Sequence, residues 1–271
     1  MNIQDCITNY LNNGYQYNDA ISKVCQDIIL LKLSNSRFSK NITIKGGVVM
    51  HNISKDKRRA TRDLDLDFIK YSIEDSSIIN FINELNKCND GLTITIDKKI
   101  KPLNQQAYNG KRIYLKISDK YNNALKTKID IGVHKLFDIK QDEYCFDING
   151  KSIKLYINSF EQIFTEKLKS LLKLGIRSTR YKDLFDFYYL INYSSLDKQK
   201  LLDYFDILIF SDITMKENKL DDIIKRLDSI FSEEEYRNNL TNPKVNWLEI
   251  PVDHVIKNIL EYLLMLDKIS V

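Results

Sequence analysis

Lys45-Gly-Gly-Val-Val-Met-His51 and, a few residues later, Arg59-Ala-Thr-Arg-Asp63-Leu-Asp65-Leu-Asp67-Phe68 hold the pattern from which the rest of the chain can be read. If residues 63 to 68 are extended, successive side chains alternate. Asp63, Asp65 and Asp67 then share one face at intervals of about 6–7 Å, while Leu64, Leu66 and Phe68 pack on the other. Three like charges in a row oppose their own clustering. A divalent cation offsets that repulsion, and two carboxylates two residues apart on a strand can both reach one Mg2+, with water and phosphate oxygens completing its shell. The plainer alternative is a solvated strand face whose acids happen to alternate. A calcium loop is a poor fit, because the sixth position of such a loop demands Gly and here stands Phe68.

Gly46-Gly47 lies between a short β-type run, Ile42-Thr-Ile44, and a helical pattern near Val48 to Asn52. Bare backbone N–H groups at a helix start can meet a phosphate; a Gly pair at such a corner can also be no more than a tight turn. Lys45 precedes the glycines and no third Gly follows, so neither the P-loop nor the dinucleotide fingerprint is present.

Outward from this segment, β-rich runs recur at Leu92 to Ile96, Arg112 to Ile117, Thr127 to Ile131 and Ser152 to Ile157, with a helical pattern at Ser76 to Leu85. Residues 1 to 40 carry helix-compatible spacing at Val24, Ile28, Leu31 and Leu33, which predicts one or two helices. Ser159-Phe-Glu-Gln162 is a capping-box pattern and Gly175 stands where a helix of about 15 residues would end. Beyond it the pattern is helical: Thr179 is the expected cap of a helix through Tyr189, and amphipathic segments follow at Lys198 to Phe210, Lys219 to Phe231 and Asp253 to Asp267. The expected fold class is α+β, with a mixed sheet domain and N-terminal helices over residues 1–157 and a helical domain over 158–271.

The composition agrees with compact, regular structure. The 271 residues include only eight Gly and three Pro, well below average usage, which excludes long flexible linkers. The longest apolar stretches fall far short of the ~20 residues of a membrane span. The first residues lack a basic region followed by an apolar one, so no secretory signal is read and a cytoplasmic location is expected. Four dispersed Cys form no C-x-x-C pair and are expected to be ordinary buried or half-buried thiols; three His form no i, i+4 pair, which gives a zinc site little support. The net charge of +4 is small, but bases cluster at Lys55 to Arg62, at Lys98, Lys99 and Lys101, and at Lys167 to Lys182. Sixteen Tyr and twelve Phe supply stacking surfaces, so a nucleic-acid acceptor is compatible.

On a helix beginning at Phe160, the apolar stripe runs through Ile163, Phe164, Leu168 and Leu171, and Lys167 falls near its middle. A charge there needs a partner. That partner is either a carboxylate such as Asp183, in a structural ion pair, or a phosphate.

The order strand, Gly-Gly, helix, D-x-D strand resembles the nucleotidyltransferase superfamily, in which the turn holds the nucleotide and the carboxylates hold metal. A narrower resemblance comes from K-G-G at 45–47, R-x-[ST]-x-D-x-D at 59–65, Glu166-Lys167-Leu168 on a helix, and Lys182-Asp183-Leu-Phe-Asp186. Together these are similar to the AbiEii-type toxins of type IV toxin–antitoxin and abortive-infection systems, to which the MenT tRNA-modifying toxins also belong. The fourth position of K-G-G-[TS] is Val48 here, which removes a hydroxyl from the phosphate turn. The resemblance implies a Mg2+-dependent nucleotidyltransferase that uses an NTP, with an RNA acceptor, the tRNA 3′ end first among them, and a cognate antitoxin encoded alongside. It implies Asp63 and Asp65 as metal ligands, and Lys45, Gly46, Gly47 and Lys167 as phosphate contacts. Arg59 and Thr61 match the motif's Arg and hydroxyl positions. Asp130, on a later strand between Ile129 and Ile131, or Asp183 would handle the acceptor proton. Transfer to a small molecule or a protein hydroxyl, and a non-catalytic nucleotide-binding module, are the alternatives.

Overall fold

The computed structural model describes residues 2–103, 110–134 and 140–269. The chain divides into two compact units, 1–158 and 159–271.

The first unit opens with helices α1 (Ile3–Asn12) and α2 (Tyr17–Ser34). Asn2 caps α1, its side chain accepting from the Gln4 N–H at 2.9 Å, and the Ile3 N–H donates to Asp119 at 3.0 Å. There follow β1 (Ile42–Lys45), α3 (Gly47–Ser54), β2 (Leu64–Phe68), α4 (Asp75–Leu85), β3 (Leu92–Ile96), β4 (Lys101–Leu103), β5 (Gly110–Asp119), β6 (Ala124–Val133), β7 (Asp142–Ile148) and β8 (Lys151–Ile157). Among the described residues all eight strands join one mixed sheet in the order β3-β5-β6-β2-β1-β8-β7, with β4 also beside β5. β2 pairs antiparallel with β1 and parallel with β6, and β1 pairs parallel with β8.

Period-2 alternation gives the sheet two unlike faces. Ile42, Ile44, Leu64, Leu66, Phe68, Ile113, Leu115, Ile129 and Ile131 are buried on one, together with Val24, Ile28, Leu30 and Leu33 of α2 and Ile78, Phe81 and Leu85 of α4. Each such side chain contributes roughly 1.5–3 kcal/mol on burial. The other face carries the polar residues described below.

The second unit comprises α5 (Phe160–Leu174), α6 (Lys182–Tyr193), α7 (Lys198–Phe205), α8 (Leu220–Phe231), α9 (Glu234–Leu240) and α10 (Val252–Ile269), making ten α-helices among the described residues. The Ser159 hydroxyl accepts from the Gln162 N–H at 3.2 Å, and Gly175 ends α5 at φ 57°, a backbone that favours glycine. Phe164, Phe187 and Phe205 form its aromatic centre, with ring centroids 4.7 and 6.3 Å apart.

Several expectations change. Thr179 does not cap α6, which begins at Lys182 without a side-chain cap; the Ser178 hydroxyl, one residue earlier, accepts the Arg180 N–H at 3.3 Å and ties the turn instead. β4, β7 and α9 were not read from the sequence, although Asn149-Gly150, with φ of 51° and 73°, is the hairpin signal that joins β7 to β8. Cys25 is buried and Cys6 and Cys88 are half-buried, but Cys145 is exposed on the edge strand β7. Among the described residues no helix is both long and apolar enough to cross a membrane.

Candidate active site

The polar sheet face is organised by register. Lys101 of β4 stands opposite Arg112 of β5, Arg112 opposite Asp130 of β6, Asp130 opposite Asp65 of β2, and Asp65 opposite Lys45 of β1. Directly opposed residues project to the same side, so five strands line up one row of charges with two carboxylates at its middle. Asp130 is buried and clasped by Arg112, Nε to Oδ1 at 2.8 Å and the terminal nitrogen to Oδ2 at 2.7 Å. This bidentate pair holds the guanidinium proton more tightly than usual, against the opposing effect of its partial burial.

The three acids of the D-x-D-x-D run meet three environments. Asp63 lies just before β2 with its side chain 51% exposed and pairs with Lys128 at 2.9 Å. Asp67 is buried and pairs with Lys45 at 2.8 Å. Asp65, half-buried between them, faces the glycine corner. Part of the repulsion expected among these acids is therefore relieved by two lysines, and Lys45, expected to contact phosphate, is seated on Asp67.

Gly46 is in a conformation reserved for glycine, φ 68° and ψ −135°. A Cβ built there would stand 3.1 Å from Asp65 Oδ2, so the bare backbone keeps a cradle open beside that carboxylate. Gly47 begins α3, whose first N–H groups have no partner within the helix. Its own missing Cβ would lie 2.7 Å from the Thr61 hydroxyl, so Thr61 closes against the corner from the other side. Gln26, buried on α2, donates to the Thr61 carbonyl at 2.8 Å and steadies the turn into β2. Arg59 is buried in the helical turn Lys57–Arg59.

The first unit thus brings together Lys45, Gly46, Gly47, Thr61, Asp63, Asp65 and Asp130. Lys167 and Asp183 belong to the second. There Lys167, buried on α5, pairs with Asp183 and with the fully buried Asp186 at 2.9 Å. Asp183 and Asp186 share one face of α6 by their i, i+3 spacing. The carboxylate partner that the stripe position of Lys167 demanded is present twice over. Sequence reasoning missed Arg112, Lys128 and Gln26 as supporting residues. Arg112 and Lys128 had one available signal, a basic residue alternating in phase with the acids of a neighbouring strand; Gln26 had none.

The donor set suits a hard divalent cation. Asp63 and Asp65 offer only oxygen, and the Gly46 cradle leaves room beside Asp65 that a side chain would fill. Among the described residues no three His, Cys, Asp or Glu side chains are gathered as a metal cage.

A family model described as nucleotidyl transferase AbiEii toxin, type IV TA system, matches residues 28–248. Comparison with curated proteins gave no match.

Proposed function

The chain belongs to the AbiEii family of nucleotidyltransferase toxins of type IV toxin–antitoxin systems, and on that premise we propose that it transfers a nucleotide from an NTP to the 3′ end of an RNA, tRNA first, in a Mg2+-dependent reaction. Membership itself implies a nucleotide substrate and an antitoxin partner. The observation that carries the finer reading is the opposition of Asp65 and Asp130 across β2 and β6, beside the cradle at Gly46.

Asp63 and Asp65 would hold Mg2+, which when bound neutralises triphosphate charge and polarises the phosphoryl group. The N–H groups at the start of α3 and the amine of Lys45 bind the phosphates; to do so Lys45 turns from Asp67. Thr61 shapes the same corner. The acceptor hydroxyl oxygen bonds to the α-phosphorus, the bond to the β-phosphate oxygen breaks, and pyrophosphate leaves. The hydroxyl proton passes to Asp130, held in place by Arg112. The sheet unit is the transferase domain in this reading.

Incubation of the purified protein with each α-labelled NTP, Mg2+ and either bulk tRNA, total protein or a panel of small alcohols locates the acceptor. Label on tRNA, with pyrophosphate released, is the expected result. Label on protein or small molecule refutes the RNA acceptor; tight NTP binding with no incorporation anywhere refutes the transferase.

A further inference from the structure

The sheet face that holds the acids does not end at them. One step along β5 from Arg112 stands Tyr114, opposite Lys128 of β6; one step further stands Lys116, opposite Lys126, with Thr95 of β3 on its other side. All these residues project to the side of Asp130, because strand residues two apart share a face. Thr93, Thr95, Lys116 and Lys126 are exposed, whereas Leu92, Ile94, Ile113, Leu115 and Ile117, which point the other way, are buried. The β3–β5–β6 segment therefore offers one open polar face continuous with the row of charges.

That face is basic and carries one aromatic ring. The Lys98 and Lys101 amines lie 5.1 and 5.6 Å from the centroid of the Tyr114 ring. Lys128 is matched by Asp63 and Lys126 by Asp97, but Lys98, Lys101 and Lys116 form no ion pair among the described residues. An aromatic ring flanked by unmatched amines on an open sheet is suited to a single-stranded nucleic acid. Bases stack on the ring, whatever their sequence, while phosphates meet the lysines. An acidic protein surface would use the charges and leave the ring without a role.

We infer that the β3–β5–β6 face, with Tyr114 as stacking platform and Lys98, Lys101 and Lys116 as phosphate contacts, is the track that leads a single-stranded RNA 3′ end to Asp65 and Asp130. The inference rests on the RNA-acceptor reading above and adds to it a location and a mode of contact. On a strand, Tyr114 lies about 7 Å from the Arg112 row, so a base stacked there is adjacent to the proposed reacting end.

The test uses the full chain, a fluorescent mixed-sequence single-stranded oligoribonucleotide, and the same sequence as a duplex. Anisotropy titrations across a salt series compare the wild type with Lys98→Ala/Lys101→Ala/Lys116→Ala, Tyr114→Ala and Tyr114→Phe. Nucleotide binding and thermal melting, measured alongside, confirm that each variant is folded. Removal of three lysines should make the slope of log affinity against log salt shallower by about 2 for a single strand. Tyr114→Ala should weaken binding by about one to two powers of ten, the range of a lost base stack, and Tyr114→Phe should restore it. The single strand should bind more tightly than the duplex. Wild-type RNA binding with unchanged affinity and slope in the triple variant overturns the track and leaves the RNA acceptor standing; the lysines then serve another polyanion, such as an acidic protein face. If the wild type binds no RNA and labels another acceptor, the acceptor reading has failed and the track falls with it.

Discussion

Asp65 and Asp130 stand directly opposite each other on neighbouring parallel strands, with Lys45 beyond the first and Arg112 beyond the second. The order of charges across the sheet is positive, negative, negative, positive. Adjacent strands are about 4.8 Å apart, so the two central carboxylates repel one another. Arg112 compensates Asp130 through two hydrogen bonds, while the Lys45 amine is drawn to Asp67. Asp65 lies beside the open corner at Gly46, where the proposed cation would bind.

Asp65→Ala, and separately Asp63→Ala, should therefore lower nucleotide transfer on the order of 10²–10³-fold or more, the range seen when a group that stabilises developing charge is removed. The folded state should survive, because each substitution removes one of a set of mutually repelling acids. Full turnover in either variant, measured by pyrophosphate release, would falsify the assignment of these two residues to the metal.

The Lys45–Asp67 pair has side chains only 9% and 4% exposed. Truncating Lys45 leaves the buried Asp67 carboxylate without this counter-ion, at a cost of about 3–5 kcal/mol. Lys45→Met/Asp67→Leu should recover much of that stability in urea unfolding, since apolar replacement of a buried pair is often neutral or better. If Lys45 also contacts phosphate, the double variant regains stability and stays inactive. Recovery of both would assign Lys45 to folding alone.

Gly46→Ala places a Cβ at φ 68° and 3.1 Å from Asp65 Oδ2. The backbone strain is worth about 1–3 kcal/mol, and the added methyl occupies the cradle beside the carboxylate. Turnover should fall further than stability alone explains. Gly47→Ala meets the Thr61 hydroxyl at 2.7 Å, so Thr61→Ala added to it should restore part of the loss. Equal melting temperatures for Gly47→Ala with and without Thr61→Ala would contradict this contact.

Asp183→Asn and Lys167→Ala should separate within the helical unit. Lys167 pairs with both Asp183 and Asp186, so Asp183→Asn leaves the lysine matched and the unit folded. Lys167→Ala leaves two buried carboxylates together and should cost about 3–5 kcal/mol. A large loss of turnover in Asp183→Asn at an unchanged melting temperature supports a role in the reaction; wild-type turnover reduces the pair to a structural one.

Acid sensitivity has a traceable source at Asp119. Its burial opposes ionisation, but N–H donors from Ile3, Tyr121 and Asn123 and the Asn123 side chain outweigh that and hold its pKa down at about 2, below the ordinary 3.8. A folded-state value below the unfolded one contributes stability that is complete above about pH 4 and lost as pH falls towards 2. Asp119→Asn should flatten that limb of the stability profile, read by urea midpoints across the window. An unchanged acid limb would show that other carboxylates set it.

Taken alone, the sequence determined what is local. The alternation of Leu64-Asp-Leu-Asp-Phe68 fixes which side chains share a face, and Ser159 and Gly175 mark the ends of α5, because period and capping depend on neighbours a few residues away. β4 is too short to show a period, and β7 announces itself only through the Asn149-Gly150 turn that follows it. Only the tertiary structure decided that β6 lies beside β2 in the register that sets Asp130 against Asp65, that Arg112 clasps Asp130, that Lys45 reaches Asp67, and that Gln26 supports the Thr61 turn. Alternation assigns a side chain to a face; which residue stands beside it there is set by pairing between distant strands, and that pairing is fixed by the burial of the whole apolar face at once.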